Sequence, residues 1–132
     1  MFPPSLPSIA FIGIPAKVVP FPQFEVQAQF AAMVWSGRAK LPTEEEMAAA
    51  VEAEEAAKRR MGVPTKYYHV QGAAMFEYND MLLAQCGLDP LPSWRRAMFE
   101  ESQFNKKNFP DSYRDAPLPP RQHYEELSAG AG

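Results

Sequence analysis

Few residues in this chain have the chemistry to catalyse a reaction unaided. The two histidines, His69 and His123, stand far apart, and the one cysteine, Cys86, lies between them. Neither the close His/Cys spacing of a metal site nor a nucleophile–base pairing is offered. Cys86 precedes a helix-stopping glycine and fits a small core residue better than a reactive thiol. The acids from Glu44 to Glu55 fall on one predicted helix, a solvated face rather than a carboxylate pair or a calcium loop. Trp94, Arg95 and Arg96 suggest a nucleic-acid contact, but no wider basic patch supports them, and the net charge is −3. No catalytic or metal-ligating residue is therefore assigned, and nucleic acid is not an expected partner.

The elements that would position any site begin with residues 8–14, Ser-Ile-Ala-Phe-Ile-Gly-Ile, an apolar run fenced by Pro7 and Pro15. A continuous run without alternation predicts a strand buried on both faces. A proline-containing loop follows, then a helix from about Pro22 or Gln23 to Ser36, with Phe24, Ala28, Ala31, Val34 and Trp35 on one face and Val26, Phe30 and Met33 on other sides, so burial on several sides is expected. Thr43 and Glu46 have the spacing of a capping box and open a surface helix reaching about Met61. Its acids come early and Lys58, Arg59 and Arg60 come last, which complements the helix dipole.

A further helix is predicted from Ala73 to Cys86, marked by Met75, Tyr78 or Asn79, Leu82, and Gln85 or Cys86. A short one follows Ser93 as N-cap, with Trp94, Ala97 and Met98 facing inward. From about Gln103 the chain reads as irregular, in keeping with 14 prolines, about twice the usual proportion of roughly 5%. The expected divisions are 1–42 (strand, loop and helix), 43–102 (helical) and 103–132 (tail). The predicted strand has no partner in this plan. Buried unpaired backbone groups cost about 1–3 kcal/mol each, so a sheet contributed by other residues is the natural resolution.

Several stretches, taken in order, resemble flavin-containing monooxygenases. They are Phe11-Ile12-Gly13-Ile14-Pro15, Val18-Val19-Pro20-Phe21-Pro22, Phe24-Glu25-x-Gln27, and Trp35-Ser36-Gly37-Arg38-x-x-Leu41-Pro42. Phe2-Pro3-Pro4 precedes them. Looser matches follow in Gly62-Val63-Pro64-x-Lys66-Tyr67, Phe76-Glu77-Tyr78, Gln85-Cys86-Gly87 and Tyr113-Arg114-Asp115. No single motif is specific; their order and spacing are. The resemblance is to the C-terminal part, in the soluble fungal and plant-like branch.

The resemblance implies an α/β fragment of a flavoprotein with two dinucleotide-binding, Rossmann-like domains. One buried strand would precede mostly α-helices and a proline-rich tail. It implies FAD and NADPH as cofactors and, through a flavin hydroperoxide, oxygenation of a small N- or S-containing substrate, as in an N,N-dimethylaniline-type parent enzyme. The missing N-terminal FAD and NADPH domains are the implied partners. Gly13, Pro15, Lys17, Val18, Val19 and Pro20 would lie nearest the flavin, with Gln27 hydrogen-bonding behind them. Gly13 also fits an ordinary turn glycine, and the Lys17 contact is the loosest part of the mapping, since other family members can carry an amide there.

No GxGxxG stands in these 132 residues, nor the family's FxGxxxH-type or FATGY-type motif. The chain by itself is therefore expected to be inactive. The alternatives are a non-catalytic helical module that docks its strand on a partner, or a decayed remnant. A single cysteine, no signal-peptide pattern and no bilayer-length apolar run suggest a soluble cytoplasmic setting.

Overall fold

A computed structural model describes residues 1–115, 117 and 119–129. The chain divides into two compact units, Met1–Pro90 and Leu91–Gly132. The first contains α1 (Pro20–Trp35), α2 (Glu44–Arg60) and α3 (Met75–Gln85), with single 3-10 turns at Thr65–Tyr67 and Gly72–Ala74. The second contains α4 (Trp94–Asn108) and α5 (Arg121–Ala129).

The core of the first unit lies where α1 packs on α3. Prolines at the first turn start α1, where their missing N–H groups have no intrahelical partner to lose. Its buried stripe is Gln23, Val26, Gln27, Phe30 and Ala31, the i, i+3, i+4, i+7, i+8 spacing of one helix face. Val26 and Phe30, predicted on other sides of the helix, are thus on the buried stripe, while the face expected from Phe24, Ala28, Ala31, Val34 and Trp35 is mostly not. Ala31 is buried, but Phe24 and Val34 are half-buried, Ala28 is exposed and Trp35 is 58% exposed. The true stripe runs through two glutamines, which an apolar count scores against it. On α3 the buried residues are Met75, Phe76, Asn79, Leu82 and Leu83, close to the predicted markers. Residues 1–11 lie along α1: Phe2 meets the Phe30 and Trp35 rings edge-on, each at 6.0 Å, and Trp35 Nε1 donates to the Pro7 carbonyl at 3.4 Å.

The predicted buried strand is not present. Among the described residues there is no strand at all, only an isolated parallel bridge between Ala16 and Val70. Ile9, Phe11, Ile12 and Ile14 are all more than two-fifths exposed. The physical reason is the missing partner: without a neighbouring edge, the run is extended chain with neither a ladder nor a second face to cover it.

The capping box of α2 forms as predicted, with the Glu46 N–H donating to Thr43 Oγ1 at 3.2 Å and the Thr43 N–H to Glu46 Oε2 at 2.9 Å. No residue of α2 is buried. The second unit differs more from expectation. Ser93 occupies the N-cap position as predicted, but its backbone already has helical dihedrals and its side chain makes no capping hydrogen bond. Helix α4 is 15 residues long rather than short, and α5 adds a second helix where irregular chain was expected. α4 packs against α5, where Tyr124 is buried and Arg121 stacks over the Trp94 ring at 5.1 Å. Trp94 and Ala97 are half-buried, but Met98 is exposed. Prolines 110, 117, 119 and 120 fall between these helices, which explains why proline content did not prevent them.

Candidate functional site

Residues 13–19 form the loop between the extended apolar segment and α1, and three contacts fix its path. At its start the Gly13 N–H donates to Gln27 Oε1 at 2.9 Å. In the middle, the Ala16 N–H donates to the His69 carbonyl at 2.8 Å and the Gln71 N–H to the Ala16 carbonyl at 3.1 Å. At its end the Val19 N–H donates to the Met75 sulfur at 3.1 Å. Two residues have left-handed backbone, Gly13 at φ +83° and Lys17 at φ +55°. A non-glycine residue there is uncommon and is held by the bonds on either side of it.

Gly13 has two local reasons to be glycine. Its φ favours no side chain, and a Cβ would come within 2.9 Å of the Phe24 ring. Pro15 and Val18 are half-buried, whereas Lys17, Val19 and Pro20 are exposed. Among residues 1–24 Lys17 is the one charged side chain. The loop therefore presents an apolar, nearly uncharged surface, continued by Phe21 at 82% exposed and by the Ile9–Ile14 segment.

Gln27 stands behind this surface. It is 1% exposed, and its two amide ends are used in opposite directions. Oε1 accepts from Gly13, and Nε2 donates to the Tyr78 hydroxyl at 3.0 Å. One turn earlier Gln23, also buried, donates from Nε2 to Gln71 Oε1 at 2.6 Å. The Gln27 amide thus stitches α1 to the loop and to α3. Burial raises the Tyr78 phenol above its ordinary pKa, opposed by the Gln27 hydrogen bond. Tyr78 remains neutral at physiological pH.

All seven residues singled out in the sequence are brought together: six lie in or beside the loop, and Gln27 bonds to its first residue. Tyr78 and Met75, which brace the arrangement from α3, were not among them. Their signal is the i, i+3 spacing that places both on one helix face, but a sequence does not say which loop that face meets. Among the described residues, no three His, Cys, Asp or Glu gather in a metal-holding group, and no helix is long and apolar enough to cross a membrane.

Comparison with known proteins points to one family. Flavin-containing monooxygenase FMO GS-OX-like 4 from Arabidopsis thaliana is 39% identical over 113 residues, 86% of this chain. The chain is a relative of the flavin-containing monooxygenases. FMO GS-OX-like 2 of the same plant is 40% identical over 101 residues, 75% of the chain. The solved structure of S-allyl-L-cysteine S-oxygenase from Allium sativum superposes with a TM-score of 0.87 at 42% identity, over 98% of this chain and 29% of that one. The chain spans about a quarter of the length of the curated monooxygenases it matches: 25% of FMO GS-OX-like 4 and 22% of FMO GS-OX-like 2. No family model matches it.

Proposed function

We propose that this chain is the C-terminal part of an FAD- and NADPH-dependent monooxygenase, and that residues 13–20 form one wall of its flavin site. The observation that carries the reading is the loop itself. It is held at three points, it has two left-handed residues, and it turns an apolar surface outward with no partner within the first unit.

The residues present fit a flavin. A flat aromatic ring system needs apolar contact on its face and hydrogen-bond donors at its edge. Pro15, Val18, Val19 and Pro20 supply the first. The backbone N–H groups of Lys17 and Val18, which have no acceptor among the described residues, supply the second. No carboxylate lies within residues 1–24 to oppose the negative charge a flavin gains when it is reduced. When bound, FAD supplies the oxygen activation that no side chain here offers.

This chain's own residues do the positioning. Gln27 holds Gly13, the bridge to Val70 holds Ala16, and Met75 holds Val19, so the loop meets a ligand already ordered and little freedom is lost on binding. The exposed Ile9–Ile14 run becomes a strand when the edge of a Rossmann-like flavin domain is beside it. Its apolar side chains then exclude water from the site. NADPH is held by parts of the parent outside these residues, since they contain no glycine-rich phosphate loop. The 132 residues alone are inactive. The oxygen acceptor is a soft nucleophile, and the garlic relative, named as an S-oxygenase, favours sulfur over nitrogen.

The test is a chimaera in which residues 1–132 replace the matching part of the garlic S-oxygenase. A chimaera that purifies yellow, with FAD at close to one per chain, is the expected outcome. A folded chimaera that purifies colourless overturns the reading.

A further inference from the structure

We infer that Tyr78 is a positioning residue for the flavin-facing loop, acting through the amide of Gln27. The inference rests on the reading that the loop faces a flavin, and it assigns a role to a side chain of α3 that lies outside the loop altogether.

The argument runs from hydrogen-bond polarity. The Gly13 N–H can only donate, so the buried Gln27 amide must turn its oxygen toward it. Its nitrogen then points the opposite way, and at 1% exposure it needs an acceptor from the protein. The Tyr78 hydroxyl, at 3.0 Å, is that acceptor. The Gly13 N–H thereby sets the orientation of the Gln27 amide, and the Tyr78 hydroxyl holds it there by accepting from the nitrogen that this orientation would otherwise strand. Gly13 sits at φ +83° with the Phe24 ring filling the space its side chain would take. Its position sets where the loop begins, and Met75, one turn before Tyr78 on α3, sets through Val19 where it ends. One face of α3 thus fixes both ends of the loop.

The relay predicts a pattern that simple packing does not. In Tyr78→Phe the ring remains but the acceptor is gone, and the Gln27 nitrogen, buried without a partner, no longer steadies the amide against Gly13. In Gln27→Glu both side-chain atoms are acceptors: one takes the Gly13 N–H and the other takes the Tyr78 O–H. Orientation no longer matters there, so removal of the Tyr78 hydroxyl should no longer disturb Gly13.

The experiment is amide hydrogen exchange by NMR on the 132-residue chain without flavin, comparing Gly13 with Phe30 and Ala31 in α1. Tyr78→Phe is expected to speed Gly13 exchange about tenfold, the equivalent of losing one ordinary hydrogen bond, with the α1 amides within twofold of wild type. In the Gln27→Glu background the same change should leave Gly13 exchange within twofold. Unchanged Gly13 exchange in Tyr78→Phe overturns the inference, as does an equal acceleration at Phe30 and Ala31. So does an effect that persists undiminished beside Gln27→Glu.

A second readout separates this from the flavin reading. In the FAD-loaded chimaera, Tyr78→Phe is expected to alter the visible circular dichroism of the flavin, with Gln27→Glu restoring it. A response at Gly13 without any spectral change keeps the relay and overturns the flavin-facing role of the loop. A chimaera that binds FAD normally while Gly13 ignores Tyr78 keeps the flavin reading and overturns the relay.

Discussion

Thr43 and Glu46 close a reciprocal cap on α2, whereas the first turn of α1 has neither a side-chain cap nor an acid. The two helices are nearly equal in length, 16 residues for α1 and 17 for α2. α2 has every local advantage: acids at its start, bases at its end, and side-chain pairs such as Arg59–Glu55 at 3.2 Å. Yet it buries nothing. α1 has no basic residue in its last turn and no such pairs, but it buries five residues and carries the loop. The difference separates two sources of helical stability. One is written within a few residues and favours solvent. The other exists only where a second element covers a face, and it is the one that positions the candidate site.

Substitutions can sharpen this contrast. The largest effect is expected from Gly13→Ala. Left-handed backbone and the Phe24 contact together should cost about 2–4 kcal/mol, seen as a lower urea midpoint for the first unit. Wild-type stability in this variant would mean that the loop relaxes freely and is not pinned.

Gln27→Leu comes next. It strands the Gly13 N–H and removes a partner of the Tyr78 hydroxyl, for about 2 kcal/mol. Gln29→Leu, two residues away on the exposed side, should stay within about 0.5 kcal/mol. Equal effects at the two glutamines would erase the distinction between covered and solvent-facing sides of α1.

On α2, Thr43→Ala should cost about 1 kcal/mol, read as faster amide exchange at Glu45 and Glu46 while the α1 amides are unaffected. Disturbance of α1 by this change would show that the two helices are not independently stabilised. Glu55→Gln removes one exposed ion pair and should change stability by no more than about 0.5 kcal/mol.

Tyr78 gives the first unit a pH dependence in alkali. The folded pKa of Tyr78 is raised, so its stabilising contribution is complete below the ordinary phenol value of about 10 and is lost as pH rises through the folded value. Thermal midpoints of the first unit should therefore fall more steeply above about pH 10 in wild type than in Tyr78→Phe. Parallel slopes would place the Tyr78 hydroxyl in water in the folded state.

The sequence by itself determined what depends on neighbours a few residues away. The capping box at Thr43, the start of α1 among prolines and the marker spacing of α3 all follow from local backbone and side-chain preferences. So does the resemblance, which rests on the order of short segments such as Phe11–Pro15 and Val18–Pro22. Tertiary structure decided what depends on which face is covered. Gln23 and Gln27 read as polar surface, but they occupy the core, where Gln27 bonds to Gly13 and Tyr78 and Gln23 donates to Gln71. Ile9–Ile14 reads as a buried strand, but a strand is completed by the chain beside it, and within the described residues only Ala16 and Val70 make such a pairing. Burial and pairing are relations between segments. The residues that Gln27 and Ile12 meet therefore settle their roles, and a residue's own type sets only the range of roles open to it.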